Sequence, residues 1–89
     1  MSYPCPCCGY KTLDSPAGES FEICTVCFWQ NNSYQLKYPN DNGGPNRVSL
    51  KQAQMNYIDF GTCEKEMVQH VRHPLAGEES DTDWQPLEY

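Results

Sequence analysis

Four cysteines in two Cys-x-x-Cys pairs are the residues of this chain best suited to chemistry. Cys5 and Cys8 form the first pair, and Cys24 and Cys27 repeat the spacing later in the chain. Zinc prefers four such ligands in a tetrahedron, and each Cys-x-x-Cys turn, or knuckle, supplies two thiolates. The spacing therefore predicts one Zn²⁺ held by all four cysteines. Because that set fills every position around the ion, we expect a structural metal and not a catalytic one.

Disulfide bonds are the alternative use of paired cysteines. The chain opens without the basic start and apolar stretch of a secretory signal, and it contains no apolar run long enough to cross a membrane. We therefore expect a cytoplasmic protein, in which thiols stay reduced and paired cysteines favour a metal. A chain of 89 residues also buries only a small core, so we expect it to need a further stabilising element such as a metal.

Two further cysteines and both histidines fall outside the predicted zinc site. Cys7 lies between the two ligands Cys5 and Cys8, a spacing that makes ligation of the same ion awkward, and is interpreted as a bystander, with an alternative ligand or a reactive thiol left open. Cys63 is predicted in the first turn of a helix, where a lowered pKa is possible, although a buried free cysteine is favoured. His70 is predicted to pack partly buried, and His73 to lie at the surface.

The pattern around the cysteines predicts a small α+β fold. Residues 10–13 and 21–23 suit the strands of a zinc-ribbon-like β-hairpin joined by a turn at 14–18. Alternation over 34–38 indicates a third short strand, and 39–46 is a loop.

Two short α-helices are predicted to follow that loop. Ser49 and Gln52 form a capping box, and Gly61 suits the end of the first helix. One apolar stripe of that helix is predicted to face the core: Leu50, Ala53, Tyr57, Ile58 and Phe60. Thr62 is expected to cap the second helix, which Pro74 ends. We therefore predict one zinc-binding domain over 1–77 and an acidic tail over 78–89.

The distribution of charge argues against nucleic acid as a partner. The net charge is −6, the six cations are scattered, and five of the twelve acids lie in 78–89. A zinc ion with four thiolates adds about −2. Binding to phosphates depends on clustered cations, which this chain lacks.

Three segments carry a resemblance to a known family. They read Tyr-Pro-Cys-Pro-Cys-Cys-Gly-Tyr over 3–10, Phe-Glu-Ile-Cys-Thr-Val-Cys-Phe-Trp over 21–29 and Gly-Gly-Pro-Asn-Arg-Val-Ser-Leu over 43–50. The chain resembles the bacterial cysteine-rich CPCC family over these segments, and the resemblance extends along the chain to about Pro74. The resemblance implies a small protein with no established enzymatic role. Because some members are encoded beside polymorphic toxins, it also implies an immunity protein.

One departure from the family bears on catalysis. Members of the family tend to carry acids just after the Phe-Trp pair, whereas this chain has amides at 30–32. Amides do not exchange protons at neutral pH, so general acid–base catalysis there is disfavoured.

The sequence therefore predicts a zinc-stabilised protein-binding module, most concretely a toxin immunity protein, that is not an enzyme and binds neither nucleic acid nor membranes. A nucleic-acid-binding zinc ribbon and a thiol-based redox protein using Cys7 or Cys63 remain alternatives. In the tail, a mixture of acids and apolar residues motivates a prediction of partner contact, although a solvated, disordered tail is the favoured alternative. The predicted partner contacts are Asp81, Asp83, Trp84 and Tyr89 in the tail, with Met55, Gln30 and Asn31 as further candidates.

Overall fold

The elements of the protein are short and leave most of the chain in turns. The structure, a computed structural model, describes residues 2–87. Strands β1 (Tyr3–Pro4) and β2 (Lys11–Leu13) pair antiparallel, with a register irregularity between Tyr3 and Pro4. Helices α1 (Ser33–Lys37) and α2 (Leu50–Phe60) and a 3₁₀ helix (Lys65–His70) follow. Within 2–87, no helix is long and apolar enough to cross a membrane.

The two knuckles share one backbone pattern. In the first, the Cys5 N–H donates to the Tyr10 carbonyl at 2.9 Å, and the Gly9 N–H donates to the Cys5 carbonyl at 2.8 Å. In the second, Cys24 and Phe28 donate equivalently, to the carbonyls of Trp29 and Cys24, at 2.9 and 2.8 Å. The residue after each second cysteine has a left-handed φ, 78° at Gly9 and 72° at Phe28. The repeat in sequence is therefore also a repeat in conformation.

The antiparallel hairpin exists, but it is not the one predicted between the knuckles. Strands β1 and β2 flank the first knuckle, whereas Ile23 forms a separate bridge with Gln30 across the second. Each knuckle is itself the tight reversal that joins its flanking segments. The connection between them instead folds over Glu22, whose Oε1 accepts N–H groups of Asp14 and Ser15 at 2.9 Å each.

The predicted third strand is wrong, since that segment is helix α1. The Asn32 Oδ1 accepts the Gln35 N–H at 2.7 Å and so caps the helix. Gln35 is fully buried, and its Nε2 donates to the Val48 carbonyl at 2.9 Å. A polar residue at the centre of the segment therefore faces inward, which the alternating pattern did not indicate.

Helix α2 begins and ends as predicted. The Ser49 hydroxyl accepts the Gln52 N–H at 3.1 Å, and Gly61 ends the helix with φ 82°. Only half of the capping box forms, because the Gln52 amide donates to Asn56 at 2.8 Å instead of turning back to Ser49.

The buried face of α2 is narrower than the predicted stripe. Leu50 and Ala53 are buried, but Ile58 is 68 % exposed and Phe60 is 44 % exposed. Gln54 is buried in their place, because its side chain hydrogen-bonds to the first knuckle and to the C-terminal segment.

The second predicted helix is a 3₁₀ helix, and Thr62 does not cap it. The Thr62 hydroxyl donates to the Glu64 carbonyl at 2.5 Å, and Cys63 lies before the helix, with its N–H donating to the Cys27 carbonyl at 2.7 Å. The prediction of a partly buried His70 is wrong. Its ring is exposed and packs on the ring of Phe28 with centroids 5.3 Å apart, while His73 is exposed as predicted.

Residues 78–87 lie against the first knuckle and are not a solvated appendage. The Lys11 N–H donates to the Glu79 carbonyl and the Asp81 N–H donates to the Gly9 carbonyl, both at 2.9 Å. Leu87 packs partly buried on the core. The apolar periodicity of the sequence ends before this segment. The folded structure nevertheless includes it, because backbone hydrogen bonds hold it in place and leave no periodic pattern in the sequence.

We expect Gly9→Ala to destabilise the protein more than Gly61→Ala. Both glycines have φ near 80°, but a Cβ on Gly9 would lie 2.5 Å from Trp84 Cε3, whereas a Cβ on Gly61 would meet nothing within 4 Å. The control should lose about 1 kcal/mol from backbone strain alone, and Gly9→Ala a further 1–3 kcal/mol or so from crowding. Denaturant unfolding of both variants measures the difference, and equal losses would contradict the contact with Trp84.

Candidate metal centre

The four paired cysteines converge on one buried point between the knuckles. Their sulfur atoms all lie within 4.8 Å of one another, and each residue is at most 4 % exposed. The Sγ atoms of Cys5 and Cys27 are 3.6 Å apart, and those of Cys8 and Cys24 are 3.8 Å apart. These separations are far longer than a disulfide bond of about 2.05 Å, and all six cysteines are free thiols.

The sulfur cluster has the dimensions of a tetrahedral metal site. A metal–sulfur distance of about 2.3 Å gives a tetrahedron with edges of about 3.8 Å. The Cys5–Cys27 and Cys8–Cys24 pairs of sulfur atoms match that edge, and each pair joins one cysteine of the first knuckle to one of the second. The chain therefore brings together four cysteines able to hold one metal ion, and such thiolate sets select soft or borderline cations.

Cys24 receives additional hydrogen bonds from the protein. Its sulfur lies 2.9 Å from the Thr12 hydroxyl of β2 and 3.4 Å from the Val26 backbone N–H. A donor to a ligating thiolate fixes its orientation and spreads its charge. Sequence reasoning missed Thr12, because only the folding of β2 onto the second knuckle brings its side chain to the site.

The thiols differ in their readiness to lose a proton. Burial raises the pKa of Cys5 and of Cys27, and the hydrogen bond with Cys24 raises the pKa of Cys8. Hydrogen bonds from Cys27, Cys5 and Cys8 instead hold the pKa of Cys24 well below its usual range. A bound cation must therefore displace the protons that burial and mutual hydrogen bonding hold on the other thiols.

Cys7 and Cys63 lie beside the cluster and are not members of it. Cys7 is 1 % exposed and occupies the position that the buried Val26 holds in the second knuckle, so it fills space as a small apolar side chain. Cys63 is 4 % exposed, and burial raises its pKa to about 12. The structure confirms the prediction of a buried free thiol at Cys63.

The amides predicted to contact a partner are part of the scaffold. Asn31 is fully buried, its Oδ1 accepts the Gly18 N–H at 2.7 Å, and its Nδ2 donates to Ser20 Oγ at 3.0 Å. Gln30 is half-buried and donates to the Phe21 carbonyl at 3.1 Å. In this fold Asn31 offers no surface to a partner.

Four of the other predicted contact residues lie in α2 or in the C-terminal segment, at Met55, Asp81, Asp83 and Trp84. Met55 is 41 % exposed on α2, and Asp83 is exposed in the C-terminal segment. Asp81 is half-buried, with its carboxylate accepting the Asp83 N–H at 3.2 Å. Trp84 is half-buried against the first knuckle, and Tyr89 lies outside the described residues. A role in partner binding remains a prediction for these residues.

Comparison with known families is consistent with this geometry. Residues 3–78 match the family described as cysteine-rich CPCC. Because the match spans most of the chain, the chain belongs to that family, and the resemblance seen in the sequence is confirmed. A comparison with curated proteins found no match.

Substitution of single cysteines should separate the metal ligands from the two neighbouring thiols. We expect Cys8→Ser to abolish stoichiometric metal binding and to unfold or aggregate the protein, because three thiolates and a hydroxyl form a poor site. Cys7→Ser and Cys63→Ser should retain the metal and lose only about 1–3 kcal/mol from burying a hydroxyl. Metal analysis and thermal unfolding of the three variants provide the test, which fails if Cys8→Ser keeps its metal.

Thr12→Val should weaken metal binding without unfolding the protein. The substitution keeps the branched shape of the side chain and removes the hydroxyl that contacts Cys24. Loss of such an outer-shell donor typically lowers metal affinity by about 10- to 100-fold. Competition with a chromophoric chelator measures the affinity, and an unchanged value would show that the hydroxyl does not support the ligand.

Proposed function

We propose that this member of the cysteine-rich CPCC family is a zinc-stabilised module that binds another protein, most concretely an immunity protein that neutralises a bacterial toxin. Zinc is the metal that four thiolates in this arrangement suit best. In this proposal one ion per chain is structural, the protein acts in the cytoplasm, and recognition takes place on the outer surface.

The burial of the cysteine cluster is the observation that carries this proposal. Three of the four cysteines have no exposed surface, and the fourth is 4 % exposed. A catalytic metal needs a position open to substrate, whereas this cluster supplies all four ligands from the chain. The most distinctive chemistry of the protein is thus directed inward, which favours a binding role over catalysis.

The charge of the protein favours a basic partner. The chain has a net charge of −6, and a zinc site with four thiolates would make it about two units more negative. Enzymes that act on nucleic acids commonly have basic clefts, so an acidic inhibitor gains association rate and specificity there. Five acids lie in 78–89, and those at Glu79 and Asp83 are exposed on the segment that covers the first knuckle.

A thiol-based redox role is the less favoured alternative. A reactive thiol needs a lowered pKa and access to solvent. Cys63 is buried with a raised pKa, and Cys7 is buried within the first knuckle. Neither residue meets both requirements.

We expect no appreciable affinity for nucleic acid. Of the six cations, Arg47 is paired with Glu64 and Arg72 with Glu78, which reduces the positive charge available to phosphates. Fluorescence anisotropy with labelled DNA and RNA at about 150 mM salt provides the measurement. Sub-micromolar binding there would contradict the proposal and favour a nucleic-acid-binding zinc ribbon.

Capture of a partner followed by inhibition tests the proposed function directly. Tagged protein expressed in its native cell should retain a basic protein that elutes as salt is raised. When the module is added to the purified partner, the toxic activity of the partner should fall in proportion to the amount of module added. Inhibition should be complete near one equivalent. The Cys8→Ser variant serves as an unfolded control. A captured protein whose activity is unaffected would overturn the immunity role.

A further inference from the structure

The tip of the first knuckle is held from outside by two side chains. The Pro6 carbonyl accepts one hydrogen bond from Gln54 Nε2 of α2 at 2.8 Å and another from Trp84 Nε1 at 3.0 Å. The Gln54 Oε1 in turn accepts the Leu87 N–H at 2.7 Å. The Trp84 ring packs on Gly9, where even a Cβ would not fit. The knuckle, α2 and the C-terminal segment therefore meet at one carbonyl group.

The tip of the second knuckle is held at the equivalent position. Thr25, like Pro6, follows the first cysteine of its pair, and its carbonyl accepts the Arg72 N–H at 3.3 Å. Arg72 Nη2 also donates to Thr25 Oγ1 at 2.9 Å, and the same guanidinium pairs with Glu78. Residues of a single stretch of chain thus donate to the equivalent carbonyl in each knuckle, that of Pro6 in the first and that of Thr25 in the second.

We propose that residues 72–87 form a C-terminal clasp that holds both knuckles closed and controls release of the metal. Loss of an ion from a four-cysteine site requires at least one knuckle to open and expose its sulfurs to water or to a competing ligand. The clasp opposes that opening at two independent points, Arg72 on the second knuckle and Trp84 on the first. It concerns the metal centre alone and does not depend on the proposed partner.

The set of protected cysteines distinguishes local control by the clasp from a general contribution to stability. If Trp84 acts on the first knuckle only, its loss exposes Cys5 and Cys8 while Cys24 and Cys27 stay protected. A change that lowers only global stability exposes all cysteines together, because they then react through the same unfolded state. The pattern of exposed cysteines, and not the overall rate, is therefore the informative quantity.

Two variants remove the side-chain contacts of the clasp one knuckle at a time. Trp84→Phe keeps an aromatic ring over Gly9 but removes the donor to Pro6, and Arg72→Met keeps the aliphatic length but removes the guanidinium. Loss of one such hydrogen bond should accelerate local opening about 2- to 10-fold. Trp84→Ala, which also removes the ring, should accelerate local opening more than Trp84→Phe does.

The measurement is alkylation of the metal-loaded protein by iodoacetamide, with each cysteine followed by peptide mass spectrometry, alongside the rate of metal transfer to EDTA. We expect Trp84→Phe to accelerate labelling of the first knuckle, Arg72→Met to accelerate labelling of the second, and both to accelerate metal transfer. Gln85→Ala, an exposed position on the same segment, should change neither rate.

Leu50→Ala supplies the reference for a purely global effect, because Leu50 is 3 % exposed in the core and its hydrocarbon side chain forms no hydrogen bond that the substitution could remove. It should accelerate labelling of all six cysteines by a common factor. If Trp84→Phe and Arg72→Met gave that uniform pattern, or left every rate unchanged, the proposed clasp would be wrong.

Discussion

The meeting of four buried thiols at one point is the constraint on which the rest of this fold depends. The strands contain two and three residues, and the apolar core beyond the cysteines consists of Leu13, Val26, Trp29, Leu50 and Ala53. Such a core contributes little against the entropy of ordering the chain. A structural metal contributes about 10–16 kcal/mol of apparent binding free energy, comparable with the whole stability of an ordinary domain. A metal held by the four cysteines would therefore be the main source of folding free energy.

Buried amides carry out the positioning that apolar packing performs in larger domains. Gln35 connects α1 to the following loop, with hydrogen bonds to the carbonyls of Asp41 and Val48 and to the side chain of Asn46. Asn31 fixes the loop between the knuckles in the same way. In the part of the chain that the structure describes, no buried side-chain nitrogen or oxygen lacks a partner. A fully satisfied polar network of this kind specifies one arrangement of the loops, since any other leaves buried groups unpaired.

The sequence predicted those features that local chemistry determines. The spacing of Cys5, Cys8, Cys24 and Cys27 identified the cluster, and Ser49 and Gly61 identified the ends of α2, because caps and knuckles are defined by neighbouring residues. The failures concern long-range pairing and buried polar groups. The partner of β2, the helical state of 33–37 and the docking of 78–87 all depend on backbone and amide hydrogen bonds between distant segments, which leave no periodic pattern. For the same reason, the sequence does not predict the contact of Thr12 with Cys24 or the contact of Trp84 with the first knuckle.

Native mass spectrometry before and after removal of the metal is the most direct test of this account. The protein as purified should carry one zinc ion per chain, with four of its six thiols deprotonated and a narrow distribution of charge states that reports a compact fold. Stripping the ion with acid or a chelator should broaden that distribution, because the remaining core does not hold the chain closed. A protein that stays compact without metal, or that holds the paired cysteines as disulfides, would contradict the central role assigned to the metal.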